Sequence, residues 1–268
     1  MNARSALFDL YGDHLRTRKG EAAVSALVRL LAPMDIKPPA VRTAVSRMVR
    51  QGWLEPTPTD AGPGYTMTPQ AWRRLDQAAT RIYRTRAGGW DGHWHVLVLE
   101  QISNRSARER VRSALTFLGY APIADNTWIA AYDSDEVDSV LAADHAEARA
   151  FKSEYDGDPA ALARELWDLE GLAEAYTDWL DDARDLAAEA PDPLGTEPDD
   201  DELAFAVRSR LIHEWRKFLF TDPGLPAELL PAGWPGAAAA GFFDTEAARL
   251  LPGASRFVDR CLENGRTS

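Results

Sequence analysis

The chain has 268 residues, 45% of them hydrophobic and 27% charged, a composition that excludes a disordered tail and gives enough core for two or three packed modules. Taken whole, the formal net charge of −12 argues against a nucleic-acid or anionic-membrane partner, but residues 1 to 88 hold 14 Lys and Arg against 7 Asp and Glu, a net +7 that leaves −19 for residues 89 to 268. No apolar run reaches membrane-spanning length, Arg4, Asp9, Asp13 and Arg16 interrupt the start of the chain, and the single cysteine, Cys261, forms no internal disulfide, so an intracellular, cytoplasmic protein without a membrane partner is expected.

Residues 5 to 16 are predicted as a first helix, from the spacing of Leu7, Leu10, Tyr11 and Leu15. Val24, Leu27, Val28 and Leu31 predict a second, ended by Pro33. Lys37-Pro38-Pro39 opens a third helix, because proline in the first turn sacrifices no bonded N–H, and Gly52 closes it. At about 100° per residue, Val41, Val45, Met48 and Val49 fall on one arc of this helix and Arg42, Thr43, Ser46, Arg47 and Arg50 on the other. Two short strands, Trp53 to Pro56 and Tyr65 to Met67, flank the turn-rich Pro58 to Gly64, and Thr68-Pro69 caps a fourth helix running to about Arg86. This is the layout of a winged helix-turn-helix. Ala87-Gly88-Gly89 reads as a hinge.

Beyond it, Trp94 to Leu99 is a predicted strand and Asn104 to Gly119 a helix with an Asn cap and a Gly stop. Thr127 to Tyr132 is a second strand, Ser134 caps a short helix, and an extended run near Ala148 to Glu154 completes a β-α-β-β-α-β unit. Asp158-Pro159 starts a helical stretch reaching Glu189. A Pro-rich connector, Ala190 to Asp201, then leads to a helix at about Glu202 to Phe220, a turn at Thr221 to Pro226, and a last helical stretch to about Glu263. The expected fold is thus α+β in three parts: a winged helix-turn-helix over 1–88, a ferredoxin-like βαββαβ domain over 89–157, and an all-helical domain over 158–268.

The third helix has the clearest chemistry. An α-helix fits the DNA major groove, where Arg pairs with guanine acceptors and Ser or Thr bonds either kind of base edge, while further cations neutralise phosphates. Arg42, Thr43, Ser46 and Arg47 are the base-edge candidates, with Arg50 and Arg18 or Lys19 assigned to phosphate; the alternative is a solvated basic face. The wing, Thr57 to Gly64, has no Lys or Arg and includes Asp60, which puts a minor-groove contact there in doubt.

Elsewhere the signals are weaker. Asp133, Asp135, Glu136 and Asp138 follow a capping serine and suit a helix dipole better than a catalytic pair. His93 and His95 flank Trp94 on one strand face without a third ligand, so packing is favoured and no metal site is assigned. Nucleotide-binding loops, zinc-protease pairs and nucleophile elbows are absent from the sequence, and neither a cofactor nor a catalytic residue is expected. On the helix around residue 211, Val207, Leu211, Trp215, Phe218 and Leu219 form an apolar arc containing Arg208, whose guanidinium needs a partner, either a carboxylate or an effector. Arg210, His213 and Lys217 share another face, which suits a phosphate-bearing ligand or plain solvent. Arg208, Arg210, His213, Trp215 and Lys217 make up the candidate effector set.

Three stretches carry a resemblance: Ser5 to Asp13 (SALFDLYGD), Val41 to Leu54 (VRTAVSRMVRQGWL) and Leu211 to Pro231 (LIHEWRKFLFTDPGLPAELLP). With the three-part layout, they make the chain resemble the PaaX-type repressors of phenylacetate degradation over almost its whole length. The resemblance implies a homodimeric regulator that binds double-stranded operator DNA, represses catabolic genes and is released by an aryl-CoA thioester, typically phenylacetyl-CoA. It also implies that the middle domain is similar to the small CRISPR-associated nuclease subunit and that the DNA-reading helix carries Arg42, Thr43, Ser46 and Arg47. Two other classes compete: a metal-dependent nucleic-acid-processing enzyme, for which the strand near His93 to Gln101 offers Glu100 but no Asp, and a winged-helix module used only for protein contacts.

Overall fold

The computed structural model describes residues 1–18, 20–73, 89–191 and 197–263. It is a mixed α+β chain with two antiparallel sheets, and it divides into two compact units: residues 1–85, 178–217 and 238–268 in one, residues 86–177 and 218–237 in the other.

In the first unit, helix α1 (Ala3–Leu10) is capped by Asn2, whose side-chain oxygen accepts from Ser5 N at 3.0 Å. The predicted continuation to residue 16 is instead a π-helical turn, Tyr11–Leu15. Strand β1 (Glu21–Ala23) precedes α2 (Val24–Leu31), and α3 (Pro38–Arg50) starts on Pro38-Pro39 as expected. Strands β2 (Leu54–Thr59) and β3 (Gly62–Met67) form a hairpin with Asp60 and Ala61 at its tip, a tighter turn than Pro58 to Gly64. The prolines permit this. Pro56 and Pro58 sit on an edge strand, and Pro63 lies beyond the 21–23 stretch that pairs with β3 from the other side. Sheet order is β1-β3-β2, and β1 was not predicted.

Thr68 Oγ1 accepts from Ala71 N at 3.2 Å and caps helix α4, described over residues 69–73. Its expected extension to Arg86 and the hinge residues Ala87 and Gly88 lie outside the described residues.

In the second unit, β4 (Trp94–Leu99), α5 (Arg105–Phe117), β5 (Ala121–Ala124), β6 (Thr127–Ala130), α6 (Val137–Ala143) and β7 (Ala148–Ser153) follow the predicted succession. The sheet order β5-β6-β4-β7 is that of a ferredoxin-like fold. Period-two alternation gives the sheet two buried faces: Leu97, Leu99, Trp128 and Ala130 pack under α5 and α6, while Trp94, Ile129 and Ala131 pack with Leu162, Leu169 and Leu229 on the other side. Asn104 caps α5 as expected, and Gly119 ends it at φ +91. Ser134 accepts from Glu136 N at 3.3 Å, but α6 itself begins only at Val137.

The helical stretch from Pro159 is two helices, α7 (Pro159–Leu166) and α8 (Leu169–Ala188). Trp167 is extended between them, and Asp168 accepts from Gly171 N at 2.9 Å. Helix α9 (Pro198–Trp215) begins and ends earlier than expected, with Pro198 in its first turn beside Asp199, Asp200 and Asp201, where carboxylates meet the positive end of the helix dipole. Short α10 (Phe218–Thr221) and long α11 (Pro235–Glu263) follow, with Pro252 inside the latter.

The core of the first unit joins both ends of the chain. Leu7, Leu10, Tyr11, Leu27, Val41, Val45 and Met48 pack in one cluster with Phe205 of α9 and Ala254, Phe257, Val258 and Cys261 of α11. Each fully buried aliphatic or aromatic side chain there contributes about 1.5–3 kcal/mol.

Candidate nucleic-acid interface

Helix α3 is firmly seated on one side and open on the other. Val41, Ala44, Val45 and Met48 are buried, which orients the helix about its axis, and Arg42, Thr43, Ser46, Arg47 and Arg50 are all exposed. Lys37 and Pro38, at the head of the same helix, are exposed too. None of Arg42, Arg47 or Arg50 forms an ion pair among the described residues. Thr43 Oγ1 donates to Pro39 O at 2.9 Å, so its methyl and its remaining lone pair are what it can offer outward. The face therefore combines three guanidiniums, two hydroxyls and no carboxylate on about three turns of helix.

Arg18, assigned to phosphate from sequence, is engaged: its Nε donates to Asp259 Oδ1 at 2.7 Å and its NH1 to His14 O at 3.1 Å. Lys19 lies outside the described residues. The hairpin tip, Thr59 to Ala61, which holds Asp60 and no cation, borders a cleft of about 270 Å³ lined also by Glu21, Asp259, Glu263 and Arg18, so its surroundings are mainly acidic.

The five candidate effector residues do not share one surface. Arg208 is 4% exposed and grips the Asp13 carboxylate with two bonds, Nε to Oδ2 at 2.8 Å and NH2 to Oδ1 at 2.7 Å, while its NH1 donates to Ala247 O. His213 Nδ1 lies 2.9 Å from Asp9 Oδ2, and Arg216, which the sequence did not single out, holds the other oxygen of Asp9 at 2.8 Å. Trp215 is buried, stacked on Phe243 at 4.8 Å between centroids. Arg210 reaches Glu189 at 4.0 Å, and Lys217 pairs with Glu214 on its own helix.

Asp9 and Asp13 thus tie α1 and its π-turn to α9 through charge-assisted bonds, the stronger kind. Next to them His14 is 1% exposed, and neither ring nitrogen is hydrogen-bonded among the described residues. Its Nε2 is 3.1 Å from Asp13 Oδ2 but off the line that a bond requires. Burial pulls its pKa down to about 4, with Asp13 opposing the shift and Arg208 and Arg18 adding to it.

The remaining titratable candidates are dispersed. His95 Nδ1 lies 2.7 Å from the Tyr120 hydroxyl, and burial lowers its pKa against the field of Asp133; His93 is near Asp91 and Glu154 instead. Glu100 is exposed, 4.0 Å from Arg149. Among the described residues no three His, Cys, Asp or Glu side chains are placed to hold a metal ion, and no helix is long and apolar enough to cross a membrane.

Comparison with known proteins decides the family. Residues 2–71 match the family described as PaaX-like protein, residues 87–163 the PaaX protein central Cas2-like domain, and residues 167–260 the PaaX-like protein C-terminal domain. The chain is also 30% identical over 284 residues to the transcriptional repressor PaaX of Escherichia coli strain K12, a match covering all of this chain and 85% of that protein. The chain belongs to the PaaX family. Among solved structures, the uncharacterized protein Rv0674 of Mycobacterium tuberculosis is 28% identical and superposes with a TM-score of 0.65 over 97% of this chain and 98% of that one. Within the PaaX family match, the 2–71 segment holds α1 through β3 and hence the whole exposed face of α3. The ferredoxin-like sheet falls in the Cas2-like segment.

Proposed function

We propose that this chain is a DNA-binding transcriptional repressor whose first 88 residues act as a winged helix-turn-helix, with α3 as the helix that enters the major groove. The observation that carries the reading is the exposed face of α3, where Arg42, Thr43, Ser46, Arg47 and Arg50 stand without a carboxylate among them on a helix fixed by buried Val41, Ala44, Val45 and Met48. Arg42, Thr43, Ser46 and Arg47 read base edges and Arg50 contacts phosphate. Family membership supports the repressor role, since the Escherichia coli relative is named for it.

In this reading the protein works as a homodimer on half-sites about one helical turn, 34 to 36 Å, or a multiple of it apart. It controls genes for aromatic-acid catabolism, and an aryl-CoA thioester releases it by favouring a conformation in which the two α3 helices no longer match successive grooves. The acidic remainder of the chain limits non-specific contact with phosphates to the basic head.

The test is a fluorescence titration of purified protein into the duplex upstream of its own gene, at fixed salt, with and without phenylacetyl-CoA. Tight binding relieved by the thioester is the expected result. Binding no stronger than to random duplex would overturn the repressor reading, and binding that the thioester leaves untouched would remove the effector while keeping the regulator.

A further inference from the structure

The second unit is rich in carboxylates, yet one of its helices is basic. Residues 89–157 hold 6 Lys and Arg against 12 Asp and Glu, and 4 of those 6 cations, Arg105, Arg108, Arg110 and Arg112, stand on α5 with Glu109 as its one carboxylate. Ala107, Val111 and Leu115 bury the opposite side of the helix against Leu97, Leu99 and Trp128, which fixes its rotation. At about 100° per residue, Arg105, Arg108 and Arg112 then fall within about 60° of one another, and all three are exposed.

The way these guanidiniums are held sets them apart. Arg110, on another flank, is neutralised by Asp144. Arg108 instead donates through Nε at 3.2 Å and NH2 at 2.9 Å to Ile102 O, a neutral acceptor, and Arg112 lies over the buried ring of Trp128 with its guanidinium carbon 5.8 Å from the centroid. Among the described residues neither they nor Arg105 forms an ion pair, although Glu109 lies one turn from Arg105 and from Arg112. Two of the three are thus braced without being neutralised.

The row has a shape as well as a charge. At 1.5 Å per residue, Arg105 and Arg112 are about 10 Å apart along the axis with Arg108 between them, and a nucleic-acid strand advances about 3.4 Å of axis per phosphate, so about three steps of it cover the same length. Charges spread along a line do not converge on a compact anion, whereas a phosphodiester chain meets them one after another.

We propose that α5 is a second phosphate-contacting element, in which Arg105, Arg108 and Arg112 bind the backbone of a duplex that the basic head already holds. The net −19 of residues 89–268 keeps the rest of the body away from DNA and keeps α5 from capturing a duplex unaided. The proposal rests on the reading of this chain as a DNA-binding protein, to which it adds affinity and salt dependence but no base preference.

The experiment measures affinity by fluorescence anisotropy on the upstream duplex and on random duplex of equal length, between about 50 and 200 mM salt. The full chain is compared with a neutralised variant (Arg105→Gln, Arg108→Gln and Arg112→Gln combined), a lysine variant (Arg105→Lys, Arg108→Lys and Arg112→Lys combined) and a control. The control combines Arg149→Gln, Arg164→Gln and Arg184→Gln, which removes as much charge from exposed arginines that already face carboxylates. Melting curves check that each variant is folded. At about 0.9 in slope per phosphate, the neutralised variant is expected to lose about 2.7 from the slope of log affinity against log salt for each protomer, a deficit in affinity that shrinks about 40-fold per protomer across that range. The lysine variant and the control are expected to keep the wild-type slope. A neutralised variant with the wild-type slope, a control that loses as much, or a lysine variant that falls with the neutralised one would overturn the proposal. So would a neutralised variant that differs only in its sedimentation, which would make the partner of α5 the acidic surface of a second copy. If the wild type discriminates its upstream duplex while the α5 slope is unchanged, α5 is wrong and the repressor reading stands. If the wild type binds both duplexes alike, the repressor reading falls and the slopes on random duplex still judge α5; a wild type that binds neither duplex overturns both.

Discussion

Arg42 and Arg47 are both exposed on α3, at the two edges of its polar arc and about 140° apart around the axis at 100° per residue, and a bidentate arginine on guanine is worth about 1–3 kcal/mol of discrimination. Arg47→Ala is therefore expected to weaken operator binding roughly 5- to 150-fold and to relax base preference at one position of each half-site. Arg50→Ala is expected to weaken all sequences alike and to lower the slope of log affinity against log salt by about one for each protomer. Anisotropy titrations at three salt concentrations separate the two, and equal behaviour of the variants would remove the division into base and phosphate contacts. His14 gives a different kind of residue-level consequence. Unfolded, it takes a proton near pH 6.5; folded, it refuses one until about pH 4. The unfolded chain thus binds more protons between those values, so this histidine's contribution is present above pH 6.5 and is lost as pH falls through the window, by about 3 kcal/mol in all at 1.36 kcal/mol per unit. His14→Phe should lose that part of the pH dependence, read as a smaller drop in urea midpoint between pH 7 and pH 4.5 than the wild type shows. Identical drops would mean that His14 does not hold its proton off.

At the scale of elements, Gly119 shows how one position ends a helix and admits a neighbour. Its φ of +91 favours glycine, and a Cβ there would meet Pro223 O at 2.5 Å, backbone that cannot swing away. Gly119→Ala combines the left-handed penalty with overpacking, each about 1–3 kcal/mol, and is expected to lower the melting temperature of the chain by several degrees or more, as measured by calorimetry. An unchanged transition would show that the turn after Asp222 does not press on α5. The stop itself was legible from sequence, because glycine after a run of helical spacing has one common cause. So was the open face of α3, where a 3.6-residue apolar period leaves the arginines nowhere to go but outward. Strand β1 was not legible: Glu21-Ala22-Ala23 has no β-branched or aromatic residue, and its extended form comes from pairing with Gly64 to Thr66. The break at Trp167 was hidden because Leu166, Leu169 and Leu172 keep helical spacing across it. The ties of α1 to α9 were beyond sequence reading, since Asp9 and Asp13 lie about two hundred residues from His213 and Arg208; the one signal was an arginine inside an apolar arc.

For the molecule as a whole, the basic head does not close its own core. Phe205 of α9 and Phe257 and Val258 of α11 complete the cluster around Leu7, Leu27 and Val41, and the carboxylates of Asp9 and Asp13 are satisfied from α9. Arg29 likewise donates to Cys261 O at 2.6 Å, and Arg18 to Asp259. A fragment of residues 1–88 keeps its net +7 but loses these partners, and hydrogen bonds to charged groups contribute about 1.5–3 kcal/mol each, against a total of about 5–15 kcal/mol for a typical domain. The isolated fragment is expected to lack a cooperative thermal transition by circular dichroism, or to melt far below the full chain, and to bind random duplex as well as operator at low salt, because its charge survives while the orientation of α3 does not. Restoring residues 197–263 in trans is then expected to bring back the transition, since that segment carries every one of the missing partners named here. A fragment that melts cooperatively and discriminates operator from random DNA would show that α9 and α11 are a buttress the head can do without.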